Sequence, residues 1–305
     1  MNKQLLRISS ITEYHRMAKL PKPQHPLLSV VQFDLITPPI TEGSINLVFD
    51  FYSISMKRVH HAKFKYGQQP SDFDEGVLFF MAPGQVFSIE IERGNSHHAE
   101  GWMILIHPDF LWNTQLAKTI KQCEFFGYAV NEALHLSDKE ETMLNLLVKQ
   151  IVQEYEANID RFSQQVIIAQ LELLLTYSQR FYQRQFITRK AVNHEILFRL
   201  ENLLNEYFNS GALAQQGLPS VTYIAQSLHI SAGYLSSLLK SLTGQSTQQH
   251  LHHKLIELAK EKLSTTNLSV SEIAYELGFE HLQSFSKIFK TKTNLSPLEF
   301  RKSYE

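Results

Sequence analysis

The chain has 305 residues, 43% hydrophobic and 19% charged, with a formal net charge of -1. That is enough chain for two domains with real cores, and it is too apolar to stay disordered. Near-zero charge excludes a protein that attracts polyanions over its whole surface, so any nucleic-acid site has to be a local patch. A single cysteine, Cys123, excludes an internal disulfide and cysteine-based metal knuckles, and a buried, inert thiol is expected.

The first residues, "MNKQLLRISSITEYHRMAK", lack the apolar core of a signal peptide. No run of ~18 apolar residues follows anywhere, so a cytoplasmic protein without a membrane span is expected. The first third reads as β-structure. "INLVFDFYSISMKRV" (45–59), "GVLFFMAPGQVFSIEIE" (76–92) and "GWMILIHPDF" (101–110) are rich in Val, Ile, Phe and Tyr and are separated by turn-prone stretches. "APGQ" marks a turn between two short strands. Several short strands with no helix between them imply a barrel or a sandwich.

From Ser137 the period changes. Ser137 and Glu140 form a capping-box pattern, and Leu144, Leu147, Val148 and Ile151 fall on one helical face. The next helix, "SQQVIIAQLELLLTYSQRFYQRQF", carries Val166, Ile167, Ala169, Leu171, Leu174 and Leu175. It is more apolar than one packing layer needs, so dimerisation through it is expected beside packing on the β-domain. A bridge, 187–220, holds a helix (about 193–208) and the loop "NSGALAQQGLPS".

The C-terminal part contains an internal repeat. "IAQSLHIS" (224–231) matches "IAYELGFE" (273–280), and "LSSLLKSLTGQS" (235–246) matches "FSKIFKTKTNLS" (285–296). Two copies of one supersecondary unit follow. Each reads as helix, turn, helix. In the second copy Ser269 and Glu272 form a capping box, Ile273, Ala274 and Leu277 make the buried stripe, Gly278 supplies the turn and Phe279 plugs the corner. The following helix, about 281–291, turns Phe285, Ile288 and Phe289 inward. In the first copy the stripe is Val221, Ile224, Ala225 and Leu228, with His229 at the turn and Ile230 at the corner. Ser231 caps a helix whose Leu235, Leu238, Leu239 and Leu242 face inward, and Gly244 suits its C-terminal end. Between the units, Leu251, Leu255, Leu258 and Ala259 line one face of a joining helix.

These residues are specific enough to carry a resemblance. "SVSEIAYELGFEHLQSFSKIFKTKTNLSPLEFR", together with "VTYIAQSLHISAGYLSSLLKSLTGQS" and the joining helix, is similar to the DNA-binding domain of the AraC/XylS-type transcription regulators over about 218–304. Ser284, Asn294 and Phe300 depart from the common tyrosine, glycine and tyrosine. "FFMAPGQVFSIE" is similar, more loosely, to the cupin-like β-barrel often joined to that module. The resemblance implies an α+β chain. A cupin-like sensing and dimerisation domain would span 1–186, with helices from about 137. An all-α DNA-binding domain, 187–305, would hold helix-turn-helix units at about 221–242 and 270–291. The partners implied are double-stranded promoter DNA, a second copy of the chain, a small-molecule effector and, as a candidate, RNA polymerase; no cofactor is implied.

A recognition helix buries one face and offers the other to base edges. In the second unit Leu282, Gln283, Ser286 and Lys287 face outward. Gln283 can pair with adenine and Lys287 can donate to guanine, and the base-facing positions of the family fall on these residues. In the first unit the outward set is Gly233, Ser236 and Ser237, with Tyr234 beside them. Lys240, Lys290, Lys292, Arg301 and Lys302 are phosphate candidates, which position without specifying; each is equally well an ordinary solvated charge. From Ser220 onward nine Lys/Arg face seven Glu, so non-specific affinity should be modest.

A metal-dependent cupin enzyme carrying the helical module is the alternative, and an adaptor that no longer contacts DNA is a third reading. His60, His61, His97, His98 and His107 lie in or near the β-domain with Glu90, Glu92 and Glu100. Adjacent histidines on a strand point to opposite faces and make poor chelates, so no metal site is expected. No phosphate-binding loop, dinucleotide fingerprint or nucleophile elbow is present, and the chain is not expected to be an enzyme.

Overall fold

The computed structural model describes residues 5–37, 43–59, 64–66, 69–71, 76–91, 99–129, 132–157, 160–188 and 190–303. The protein is α+β and divides into two compact units, Met1–Gln185 and Phe186–Glu305.

The first unit opens with β1 (Leu5–Ile8), α1 (Ile11–Met17) and β2 (Leu28–Gln32). Then come β3 (Gly43–Phe49), β4 (Tyr52–Val59), β5 (Phe64–Tyr66), β6 (Gln69–Ser71), β7 (Val77–Met81), β8 (Val86–Ile91) and β9 (Ala99–Ile106). The short α2 (Leu116–Thr119) and β10 (Leu134–His135) lead to α3 (Asp138–Glu156) and α4 (Ser163–Thr188). Among the described residues the strands form a three-stranded sheet, β1-β3-β8, a five-stranded sheet, β10-β7-β4-β9-β2, and the separate pair β5-β6. No pairing among them closes a barrel.

Two details of strand pairing differ from a reading along the chain. The stretch 45–59 is two strands in two sheets: β3 pairs with β8, and β4 with β7 and β9. The chain crosses at Asp50 and Phe51. Phe51 is fully buried, and Asp50 is held by Arg7 at 2.9 Å. The "APGQ" turn likewise joins strands of different sheets rather than a hairpin. Its Gln85 N–H donates to Ala82 O at 3.3 Å, with Gly84 at φ 81°.

The space between the sheets is filled by Ile45, Leu47 and Phe49 from β3 and by Met103, Leu105 and Val31 from the other sheet. The outer face of the larger sheet meets α3. Trp102 Nε1 donates to Asn145 Oδ1 at 2.7 Å, and Arg58 pairs with Glu141 at 2.9 Å. The α3 start is the capping box expected, with Ser137 N donating to Glu140 Oε2 at 2.9 Å, and Leu144, Leu147, Val148 and Ile151 are buried. Arg184 on α4 ties to the same Glu140 and to His135 O. Along α4, Ile167, Leu171, Leu174 and Leu175 are buried, while Val166 and Leu173 remain 39% and 43% exposed. Cys123 is half-buried rather than enclosed, and burial raises its thiol pKa.

The second unit is helical: α5 (Lys190–Asn209), α6 (Ala212–Gln216), α7 (Val221–Leu228), α8 (Ala232–Thr243), α9 (Thr247–Thr265), α10 (Val270–Glu276), α11 (Leu282–Thr293) and α12 (Pro297–Lys302). The expected loop before Leu218 contains α6. Its ends are set by Gly211 and Gly217 at positive φ, and buried Leu213 pins it. The helices form two cores. Leu200 and Leu204 of α5 pack with Ile224, Leu228, Leu235, Leu239 and Leu251. Leu213 packs with Leu255, Ala259, Leu263, Ile273, Leu277, Phe285 and Phe289. The helix α9 therefore contributes its first turns to one core and the rest to the other. The bridge, 187–220, supplies Leu200 and Leu204 to the first core and Leu213 to the second.

Candidate nucleic-acid interface

Each helix pair starts from the local chemistry of its caps. The side chains of Ser220, Ser231, Ser246, Ser269 and Ser296 accept N–H bonds at the N-termini of α7, α8, α9, α10 and α12. Of α7 to α12, only α11 has no side-chain cap, so its N-terminal N–H groups stay available to an anion. The turns between partners are tight. His229, between α7 and α8, is left-handed at φ 60°, and Gly278, between α10 and α11, at φ 79°.

On α11, Phe285 and Phe289 are fully buried. That fixes the rotation of the helix and leaves Leu282, Gln283 and Lys287 exposed and Ser286 half-buried. Lys290 and Lys292 are exposed too, and the helix has no acid. A shallow groove of about 360 Å³ runs beside it, lined by His252 of α9 with Ser284, Lys287, Ile288, Thr291 and Lys292. Its lining holds two lysines and no acid. His252 was not among the residues singled out from sequence: only tertiary packing brings it to α11.

The first pair is more closed. Gly233, Ser236 and Ser237 are half-buried, and the Ser236 hydroxyl meets Thr247 Oγ1 at 3.1 Å. Tyr234, expected beside the outward set, is buried against Phe186 with ring centres 5.2 Å apart. Leu242, expected inward, is 38% exposed because it lies in the last turn of α8, beyond the core. Lys240 is exposed.

Several charges have structural partners. Arg301 Nη2 donates to Leu268 O at 2.6 Å and Nε to Leu263 O at 3.2 Å, joining α12 to the end of α9. Arg301→Ala should therefore lower the stability of the C-terminal unit by about 1–3 kcal/mol, measured by urea unfolding. An unchanged midpoint would show these bonds to be dispensable. Glu201 of α5 binds His250 at 2.9 Å and Lys254 on α9. Burial pushes its carboxyl pKa up, but the hydrogen bonds from Lys254 and His250 prevail and hold it low. Lys262 is paired with Glu276 at 2.7 Å.

His60, His61, His97 and His98 lie outside the described residues, as do Glu92 and the side chain of Glu90. Among the described residues no three His, Cys, Asp or Glu are grouped to hold a metal ion, and no helix is long and apolar enough to cross a membrane.

Two short helices around a tight turn, repeated on a shared scaffold, define a protein of the helix-turn-helix class. The helix-turn-helix domain family matches residues 224–303. The HTH-type transcriptional regulator YfiF of Bacillus subtilis (strain 168) is 30% identical over 262 residues, covering 84% of this chain and 78% of its own. The arabinose operon regulatory protein of Escherichia coli (strain K12) is 29% identical over 245 residues, 76% of each chain. Among solved structures, the C-terminal domain of AraT, a response regulator from Geobacillus stearothermophilus, is 29% identical with a TM-score of 0.32, over 35% of this chain and 84% of that one. The chain belongs to the AraC-type helix-turn-helix transcription regulators, and it is a DNA-binding protein.

Proposed function

We propose that the protein binds a promoter through both helix pairs and that α11 supplies most of the sequence discrimination. One observation carries this reading: the face of α11 bearing Gln283 and Lys287 is exposed, free of acids, and held in place by two buried phenylalanines. Gln283 suits adenine and Lys287 suits guanine, while Leu282 can meet a thymine methyl. Lys290 and Lys292, with the uncapped start of α11, suit phosphates. On α8, half-buried Gly233, Ser236 and Ser237 suit close approach with permissive contacts, and Lys240 a phosphate. Arg301 is the weakest phosphate candidate, given its carbonyl partners. The 19 residues of α9 give a spacer of roughly 28 Å at about 1.5 Å per residue, comparable to the ~34 Å between successive major grooves on one face.

Base-edge contacts and phosphate contacts give different signatures. Gln283→Ala and Lys287→Ala should each cost about 1–3 kcal/mol, unevenly across operator variants. Lys290→Ala should weaken all sequences alike and make the salt slope shallower by about 1. Binding anisotropy on a panel of operator variants reads both. Unchanged affinity and preference in folded Gln283→Ala and Lys287→Ala would leave α8 as the reader and overturn the assignment to α11.

The N-terminal unit, on this reading, responds to a small molecule or to promoter context and pairs two copies through α4. Exposed Val166 and Leu173 on an otherwise core-forming helix support the pairing. Sedimentation should give a dimer, free or on operator DNA. A monomer in both conditions at high concentration would refute it.

A further inference from the structure

Of the six lysines and histidines on α9, four are paired with glutamates. His250 and Lys254 hold Glu201, Lys260 holds Glu257 at 2.8 Å and Lys262 holds Glu276 at 2.7 Å. Among the described residues His252 and His253 have no acid partner. His253 is exposed, whereas half-buried His252 lines the groove beside α11. Ser284, Ile288 and Thr291, at intervals of four and three, share the face of α11 that forms its other side. Ile288 packs on the second core and gives the groove an apolar floor. The Thr291 hydroxyl donates to Lys287 O at 2.7 Å. The exposed Ser284 hydroxyl has no partner among the described residues. His252, Ser284 and Lys292 are therefore left as donors around the floor, with Lys287 at the edge that bears Gln283.

Small-molecule sites are concave and mostly apolar, and they enclose what they bind. This groove is shallow and lined by donors, which suits a charged strand passing over it. Its place in the fold supplies the strand. With α8 and α11 in successive major grooves, the minor groove between them, bordered by both phosphate backbones, lies under the helix that joins the pairs. That helix is α9. We propose that a DNA backbone phosphate seats in the groove, held by His252, Ser284 and Lys292, so that α9 contacts DNA as well as spacing the two pairs. This rests on the reading that α11 enters the major groove. It also makes one backbone contact titratable, because histidine is the side chain that gains its charge between about pH 8 and 5. The charged groups facing His252 are Lys287 and Lys292 of α11. The α8 helix bears only Lys240. The α10 and α12 helices meet α9 near its other end, through Glu276 with Lys262 and Arg301 with Leu263 O. Glu201 of α5 is held by His250 and Lys254. No acid of these helices competes with a phosphate for His252.

The test uses the full-length chain and two duplexes, one selected from a random pool by the wild type and one of shuffled sequence. Binding anisotropy is read at about pH 6 and about pH 8 for the wild type, His252→Gln, His252→Arg and His253→Gln. At the lower pH His252→Gln should weaken both duplexes alike by about three- to tenfold and make the salt slope shallower by about 1. At the higher pH its loss should fall below about twofold. His252→Arg should hold the low-pH affinity of the wild type at both pH values, and His253→Gln should follow the wild type throughout. A methylphosphonate scan of the selected duplex needs no variant. Neutralising one phosphate between the α8 and α11 contacts should weaken the wild type more at the lower pH, and should weaken His252→Gln less than the wild type. If His252→Gln binds like the wild type at the lower pH and no neutralised phosphate acts more strongly there, the groove is not a phosphate seat. Costly Gln283→Ala and Lys287→Ala would then leave the reading of α11 standing without it. If those two variants are also silent, the reading of α11 has failed and the proposal falls with it. If inorganic phosphate raises the thermal midpoint of the wild type but not of His252→Gln, while both bind DNA equally, the groove takes a free anion and the DNA contact is overturned.

Discussion

Replacing Gly278 with alanine should cost the C-terminal unit at least about 3 kcal/mol and abolish operator binding at ordinary temperatures. Two penalties add. The backbone there is left-handed, at φ 79°, which costs an L-residue about 1–2 kcal/mol. A new Cβ would also sit 2.4 Å from Leu213 O and 2.9 Å from the Cα of Gly217. Both neighbours are backbone, so neither can swing aside without moving α6. The controls separate the two penalties. Gly244 is also left-handed, at φ 74°, but a Cβ there meets nothing within 4 Å; Gly244→Ala should cost only about 1 kcal/mol. His229 already bears the conformational penalty at φ 60°, so His229→Gly should be neutral or stabilising by up to about 1 kcal/mol. Urea unfolding of the three variants checks the series. Equal costs at Gly278 and Gly244 would mean that the α6 contact yields, and that the turn alone matters.

Half-buried Lys57 on β4 lies with its amine 4.7 Å from the centre of the Phe33 ring, and Lys57→Met should stabilise the protein at pH 7 by about 1–3 kcal/mol. The upper end is the burial shift converted at about 1.4 kcal/mol per unit, and the lower end allows for the part of the side chain that reaches solvent. The sign follows from proton binding. The folded-state pKa, about 8, lies below the unfolded value of about 10.4, so between these values the unfolded chain holds more protons. Wild-type stability attributable to this group therefore rises as pH climbs from about 8 to 10. Below pH 8 the full penalty applies. The advantage of Lys57→Met should be largest near pH 7 and shrink by pH 10. Denaturant midpoints at both pH values measure it. A variant less stable than wild type at pH 7 would mean that packing of the lysine stem on Phe33 outweighs the buried charge.

The same contrast between local and distant causes governs what could be read from the chain. The capping boxes at Ser137 and Ser269 and the stripes through Ile224, Leu235, Ile273 and Phe285 are encoded within a few residues. Side chains three and four apart share a helical face whatever surrounds them. The 49–50 residue repeat made the two helix pairs visible as copies, and the outward position of Gln283 and Lys287 followed from which residues the core claims.

Strand partners were a different matter. "INLVFDFYSISMKRV" is rich in strand formers, but whether it pairs with itself or splits between sheets depends on β7, β8 and β9, with partners as distant as Tyr52 and Ile106. Helix-end positions also escaped: Leu242 keeps the periodicity of its helix and lies past the end of the core, while Tyr234, expected beside the outward set, turns in to meet Phe186. Composition marked Arg301 as a cation, but only folding set it against two carbonyls. Alternation in Ser53, Ser55 and Lys57 placed three polar groups on one face without saying that a second sheet covers it. By itself the sequence determined the helices, their caps and their buried faces, because those rest on neighbours in the chain. Only the tertiary structure decided which charges are spent on carbonyls and carboxylates and which stay unpaired, because partners brought together from 14 to 83 residues apart leave no local period.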